Sequence, residues 1–352
     1  MKKSEFIKEF DLRTSKFENL RRSAASIVEG ILEEAGIALL QVQSRVKTKN
    51  SATEKFAEKD YAKPFIDMTD LVGLRVIVYL ESDIDKSAKI LRDAFEIDEE
   101  KSVDKRIPEK PDVVGYRSLH LICKLGKRRS GISEYRDVCD IFFEVQVRTA
   151  LTHTWAEIEH KQNYKSAQAL PKRLQRRLNI LSGTLELVDL ELDKIKRDAE
   201  SYKDDLINES SDIDKDEITE ISLRTLLNEH FEDNGVPTED VEWNDLSTQL
   251  AIEDLKQCGI TSVLELRQLL SDLPESIIFK YYDGSTSTKF AVHYVRIALM
   301  WKSPKELFEN RTSIKRISKK VIDGFSEYWD PENIEELARE NSIEIMDTTD
   351  DD

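Results

Sequence analysis

The chain is short of what staples or anchors a fold. Three cysteines occur in 352 residues (Cys123, Cys139 and Cys258), none in Cys-x-x-Cys spacing, which excludes a disulfide framework and fits a reducing compartment. No apolar run approaches the roughly 20 residues of a membrane span. The N-terminus, MKKSEFIKEF, has no apolar core of the kind a signal peptide needs. These absences predict a soluble, cytoplasmic protein without membrane partners. Positive charge is also in deficit: 53 Lys and Arg stand against 70 Asp and Glu, for a formal charge of −17. That balance argues against a general binder of nucleic acid or anionic membrane, though a local basic site can sit within an acidic whole. The familiar phosphate-binding signatures are missing too. There is no G-x-x-x-x-G-K-[ST], no G-x-G-x-x-G, and no HRD or DFG set, which excludes the P-loop and protein-kinase solutions. No internal repeat is present.

What the chain does have centres on Asp140–Lys165, DIFFEVQVRTALTHTWAEIEHKQNYK. Its first half alternates strictly, with Ile141, Phe143, Val145 and Val147 on one face of a strand. Phe142, Glu144, Gln146 and Arg148 share the other. The spacing then turns helical near Thr149, and His153, Glu157, His160 and Tyr164 stack on one side. A polar strand face running into a polar helix face is suited to a charged site.

Around this stretch the chain reads as follows. Residues 15–40 form a helix, with Ser15 and Glu18 as its capping box. SRVKTKNSATEKF is a basic strand and turn carrying Arg45, Lys47, Lys49, Ser51 and Lys55, donors suited to a polyphosphate. DMTDLVGLRVIVYL leads into a buried strand, with Asp70 and Gly73 at its start and Arg75 interrupting an apolar run. Residues 83–95 are helical. GYRSLHLICKL is a second alternating strand, with Tyr116, Ser118 and His120 on one face. A long helix opens at Pro171. Residues 201–217 read as an acidic linker. Helices follow near 217–231, 244–257, 262–271, 287–301 and 313–328, then a frayed acidic tail from 346. This gives a mixed strand-and-helix domain over 1–200 and a helical domain over 218–345.

Two carboxylates on neighbouring strands, Asp70 and Glu144, can hold Mg²⁺ against substrate phosphates, while nearby arginines and lysines neutralise them. An aromatic such as Tyr116 offers a plane for a base. Such a set suffices for phosphoryl-type transfer, which needs mainly positioning and charge stabilisation.

In this order and spacing, SRVKxxxS with Lys55, DLVGLR, GYRSLH, EVQVRT and HTWAEIEHKQNYK resemble the synthetase domain of the RelA/SpoT family, which makes the guanosine alarmones (p)ppGpp. The resemblance covers roughly residues 15–200. It implies an α+β fold: a nucleotidyltransferase-like mixed β-sheet flanked by helices, here followed by a mostly α-helical C-terminal domain. It also implies Mg²⁺-dependent transfer of pyrophosphate from ATP to the 3′-hydroxyl of GDP or GTP. Carried over by motif, Arg45 and Arg75 sandwich the adenine. Lys47, Ser51 and Lys55 hold the ATP phosphates. Asp70 and Glu144 share the metal, and Glu144 helps to activate the acceptor. Tyr116 stacks on the acceptor base, and Ser118, His120 and Gln146 orient acceptor or phosphates. Arg148, His153, Glu157 and His160 support the site.

Two departures bear on the acceptor. KPDVVGY replaces the short Lys-Pro-Asn-Gly-Tyr approach of small family members. No His-Asp dipeptide occurs, so the family's hydrolase is not expected. The alternative is a toxin of a toxin–antitoxin or phage-defence system that pyrophosphorylates adenosine nucleotides or the 3′ end of tRNA. The partners expected are ATP and GDP or GTP, tRNA in the alternative, an antitoxin or regulatory protein at the C-terminal domain, and a second copy of the chain. A non-catalytic alarmone sensor is the further rival, disfavoured because a pure binder needs no metal pair.

Overall fold

The computed structural model describes residues 1–346 except 60, 108–116, 166–170, 209, 211, 236–240, 275–276, 278–288 and 311, and only the backbone of 160–165, 241–242 and 289–292. The chain divides into two compact units, Met1–Arg197 and Asp198–Asp352.

The first unit opens with a helix longer than its sequence suggests. α1 spans Lys3–Glu34, so Ser15 and Glu18 lie inside it rather than at its cap. Apolar spacing explains the early start, because Phe6 and Phe10 extend the buried stripe of Phe17, Leu20, Ala24, Val28 and Leu32. Phe6 stacks on Phe56 and Phe65 at centroid distances of 4.5 and 5.0 Å.

Next come β1 (Leu39–Val46), α2 (Lys49–Glu58), α3 (Pro64–Asp67), β2 (Val72–Val78), α4 (Glu81–Ala94), β3 (Glu96–Ile97) and β4 (Val103–Asp104). β5 (Leu119–Lys124), β6 (Phe143–Thr149), α5 (Ala150–Lys165) and α6 (Lys172–Ile207) follow. The strands form a mixed six-stranded sheet in the order β1-β2-β6-β5-β3, with β4 also on β5. Only the central β2–β6 pair is parallel; the others are antiparallel.

One face of this sheet is core. Val72, Leu74, Val76 and Val78 of β2, Phe143, Val145 and Val147 of β6, and Leu119, Leu121 and Cys123 of β5 pack with the buried stripe of α1 and with Ile84, Ala88 and Leu91 of α4. Each buried aliphatic side chain contributes roughly 1.5–3 kcal/mol, and a one-residue slip would turn the whole set outward. Burial therefore fixes the register. The same register assigns every alternate residue to the opposite face.

Two sequence expectations need correction here. Lys49, Ser51 and Lys55 lie on helix α2 rather than on a strand and turn, because Thr48 caps it by accepting from the Ser51 amide. The stretch 201–217, expected as a linker, is helical as far as Ile207, where α6 ends. Leu206 belongs to the second unit's core, which holds that last turn in place.

The second unit contains α7 (Glu220–Asp233), β7 (Val241–Glu242), α8 (Asp245–Gln257), α9 (Val263–Ser271), β8 (Lys289–Phe290), α10 (Ala291–Lys302) and α11 (Pro304–Glu309). It continues with β9 (Arg316–Ser318), α12 (Lys319–Gly324), α13 (Pro331–Glu340) and β10 (Glu344–Met346). The expected helix over 313–328 is instead a short strand and a short helix. The strand is claimed by a tertiary partner, β10, with which β9 pairs in parallel.

Candidate active site

The polar face of the sheet is laid out by pairing register. Arg45 of β1 lies opposite Gly73 of β2, which lies opposite Glu144 of β6, and then Ile122 of β5. One step along, Gln43, Arg75, Gln146 and His120 form the adjacent row. Four separate motifs thus meet on a patch two residues deep. Gly73 leaves the middle of the first row open, and a Cβ there would meet nothing within 4 Å. The resulting cleft is lined by Gln43, Ser44, Arg45, Asp70, Gly73, Leu74, Arg75, Glu144 and Gln146.

Asp70 sits at the cleft's edge, two residues before β2. Lys47 follows β1 directly, and its backbone amide donates to the Leu71 carbonyl at 2.8 Å, which fixes it beside Asp70. Its ammonium and that of Lys55 both donate to Asp70 Oδ2, at 2.8 and 2.7 Å. Burial alone would raise the Asp70 pKa, but the bonds and charge of the two lysines outweigh it and hold the carboxyl below its usual range. The other oxygen, Oδ1, is buried without a partner among the described residues.

Glu144 is gripped from both sides. His120 Nδ1 lies 2.7 Å from Oε1, and Gln146 Nε2 donates to Oε2 at 2.9 Å. Burial opposes the charge here too, yet these two neighbours bring the carboxyl below its ordinary range. An ionised carboxylate only accepts, so the His120 Nδ1 carries the proton of that bond.

Arg75 reaches across to α5, where its Nη1 pairs with Glu157 Oε1 at 3.0 Å. Burial and the nearby Arg148 lower the pKa of His153 despite Glu157. At the strand-to-helix junction Thr149 donates to Asp189 Oδ2 of α6 at 2.7 Å. This buttress comes from a residue the motifs do not mark.

The structure therefore brings Arg45, Asp70, Arg75, Glu144 and Gln146 together, with Lys47 and Lys55 joined through Asp70. His120 is engaged with Glu144. Ser118 is fully buried, and its hydroxyl donates to the Val147 carbonyl at 3.3 Å, so it does not face the cleft. Ser51 is exposed on the first turn of α2. Arg148, one step further along β6 than Gln146, is buried at 2% exposure and does not line the cleft. Tyr116 and the side chain of His160 lie outside the described residues. Sequence reading passed over Gly73, Gln43 and Ser44 as lining residues. The period-two alternation of DLVGLR, which puts Gly73 on the same face as Arg75, is the signal that could have found the first of these.

A divalent metal is implied by the resemblance, and the donor set fits one. Among the described residues no group of three or more His, Cys, Asp and Glu gathers. The chain offers two carboxylates, one with a spare buried oxygen. That suits Mg²⁺, which takes oxygen ligands, keeps several waters and shares substrate phosphates.

Comparison with known proteins bears on this geometry. The model for the region found in RelA/SpoT proteins matches residues 44–169, which contain every cleft-lining residue except Gln43. The chain is 30% identical over 162 residues to GTP pyrophosphokinase YwaC of Bacillus subtilis (strain 168), covering 45% of this chain and 74% of that protein. It is 31% identical over 160 residues to GTP pyrophosphokinase YjbM of the same organism, covering 44% and 71%. Among solved structures, small alarmone synthetase 1 from Bacillus subtilis aligns with a TM-score of 0.46 and 25% identity, over 55% of this chain and 98% of that one. With the relatives covered to this extent at this identity, and with the matched region coinciding with the cleft, the chain belongs to the RelA/SpoT family.

Proposed function

We propose that the chain is a Mg²⁺-dependent pyrophosphokinase that moves the β,γ-pyrophosphate of ATP to the 3′-hydroxyl of GDP or GTP. The observation that carries this reading is a cleft lined by Asp70, Glu144, Arg45 and Arg75, with Lys47 and Lys55 paired to the same Asp70. Asp70 and Glu144 would hold the metal, which when bound supplies charge neutralisation at the transferring phosphates. Arg45 and Arg75, diagonal neighbours on adjacent strands, suit a flat base, and Lys47 and Lys55 suit the phosphates.

Glu144 takes the proton from the acceptor hydroxyl. A bond forms from the 3′-oxygen to the β-phosphorus, and the bond from that phosphorus to the α,β-bridging oxygen breaks, releasing AMP. Its depressed pKa keeps Glu144 ionised, and His120 and Gln146 fix its direction.

The decisive assay incubates the pure protein and Mg²⁺ with γ-labelled ATP and, separately, GDP, GTP, AMP, ADP, ATP or deacylated tRNA. Label on GDP or GTP is the expected result. Label on none would end the enzymatic reading. Label on tRNA or an adenosine nucleotide would favour the second reading, a toxin-type synthetase. The distribution of charge is compatible with tRNA. The acid excess lies in residues 198–352, whereas residues 1–197 carry 37 Lys and Arg against 33 Asp and Glu. The chain's overall charge therefore does not weigh against a polyanionic acceptor at the catalytic unit.

A further inference from the structure

The two lysines suited to the phosphates are not directed at open space. Both ammonium groups sit on Oδ2 of Asp70, the carboxylate suited to the metal. The arrangement is built in from both sides. Lys47 is tied by its backbone to Leu71, and Lys55 is delivered by the helix that Thr48 caps. Their side chains are 17% and 29% exposed and that of Asp70 21%, so water screens the trio only in part.

We infer that Lys47 and Lys55 occupy the Asp70 metal seat as internal cations, and that polyphosphate draws them off, so that divalent metal and nucleotide bind with strong positive coupling. The inference rests on the site reading above and adds an order to it. The trio carries one net positive charge. A divalent ion alone would bring it to three positive, and a nucleoside triphosphate alone to three negative. The two together leave one negative, the mildest outcome with ligand bound. A metal arriving alone meets two ammonium groups at its ligand, at a distance where like charges repel strongly in a half-buried site. Phosphate oxygens give those ammonium groups other partners and release Oδ2, beside the unpartnered Oδ1. Coupling between two bound ligands is reciprocal, so the metal tightens nucleotide binding by the same factor.

The test needs no turnover and no phosphate, which would itself chelate metal. Full-length protein is titrated with Mn²⁺ and free ion is read by electron paramagnetic resonance, for wild type, Lys47→Met/Lys55→Met, and that pair combined with Asp70→Asn. The double variant should bind Mn²⁺ at least about tenfold tighter than wild type, and adding Asp70→Asn should abolish the gain. Lys47→Gln/Lys55→Gln repeats the test in case the methionine pair fails to fold. A thermal melt gives a second readout, with Mn²⁺ raising the midpoint of the double variant more than that of wild type. Equal or weaker Mn²⁺ binding by both double variants overturns the inference. A gain that survives Asp70→Asn also overturns it, because the lysines would then be guarding some other ligand. Failure of the underlying reading shows separately, as absence of label transfer by the wild-type enzyme.

Discussion

At Asp70 and Glu144, replacing one oxygen by nitrogen removes the carboxylate charge with almost no change in volume. Asp70→Asn and Glu144→Gln should therefore each lower label transfer by more than about 10²-fold while circular dichroism stays unchanged. Near-wild-type turnover by Glu144→Gln at saturating Mg²⁺ would take the base and ligand role from it. His120 acts on Glu144 through one bond, so His120→Asn should cost roughly 10- to 100-fold in kcat and leave the KM for ATP nearly unchanged. A rise in the acceptor KM alone would return His120 to the acceptor-orienting role that its motif suggested.

Among the elements, β2 and α6 make the clearest tests. Gly73 keeps the cleft floor open on a strand that valine suits, so Gly73→Val should fold normally and lose about tenfold or more in affinity for a non-hydrolysable ATP analogue by calorimetry. On α6, Asp189 is 3% exposed and grips Thr149. Burial raises its pKa, in spite of the Thr149 bond and Arg117. A carboxyl whose folded pKa is raised contributes stability below the unfolded pKa of about 3.8 and loses it as pH climbs through the folded value. Asp189→Asn keeps an acceptor for Thr149 but cannot ionise. Its unfolding midpoint should thus exceed that of wild type at pH 7, with the difference fading below about pH 4. The opposite trend would mean that the charge on Asp189 is wanted. α6 also reverses the usual rule for a helix. It turns Ser182, Asp189 and Asp193 inward while Leu181, Val188, Leu192 and Ile195 stay exposed.

For the whole molecule, the two buried cores share no residue. One draws on residues from Phe6 to Val147 and the other on residues from Leu206 to Ile343. Calorimetry should accordingly resolve two unfolding transitions, and Asp254→Ala should lower only one of them. Asp254 is wholly buried and accepts from Arg296 Nε and from the amide and hydroxyl of Ser313, donors that would lose this partner. The candidate site lies in the first unit. Residues 1–200 alone should transfer label faster than the full chain if residues 198–352 restrain the enzyme. Equal rates would remove that role.

Much of this was legible in sequence. Alternation at Asp140–Arg148 marked a strand with one core face because side-chain period is a local property of the backbone. The five motifs marked the family because their order survives without any knowledge of contacts. Pro171 punctuated the start of a helix by chemistry confined to one turn, whereas the cap at Thr48 went unread and α2 passed for a strand and turn. What only the tertiary structure decided was which side chains answer one another. The pairing of β5 with β6 gave His120 to Glu144, and the approach of α5 gave Glu157 to Arg75. The bond from the Lys47 amide to the Leu71 carbonyl put two lysines on one carboxylate, and the tight packing of Ser118 removed it from the cleft. These are contacts between residues far apart in the chain. Their strength depends on burial and register, which no local pattern encodes.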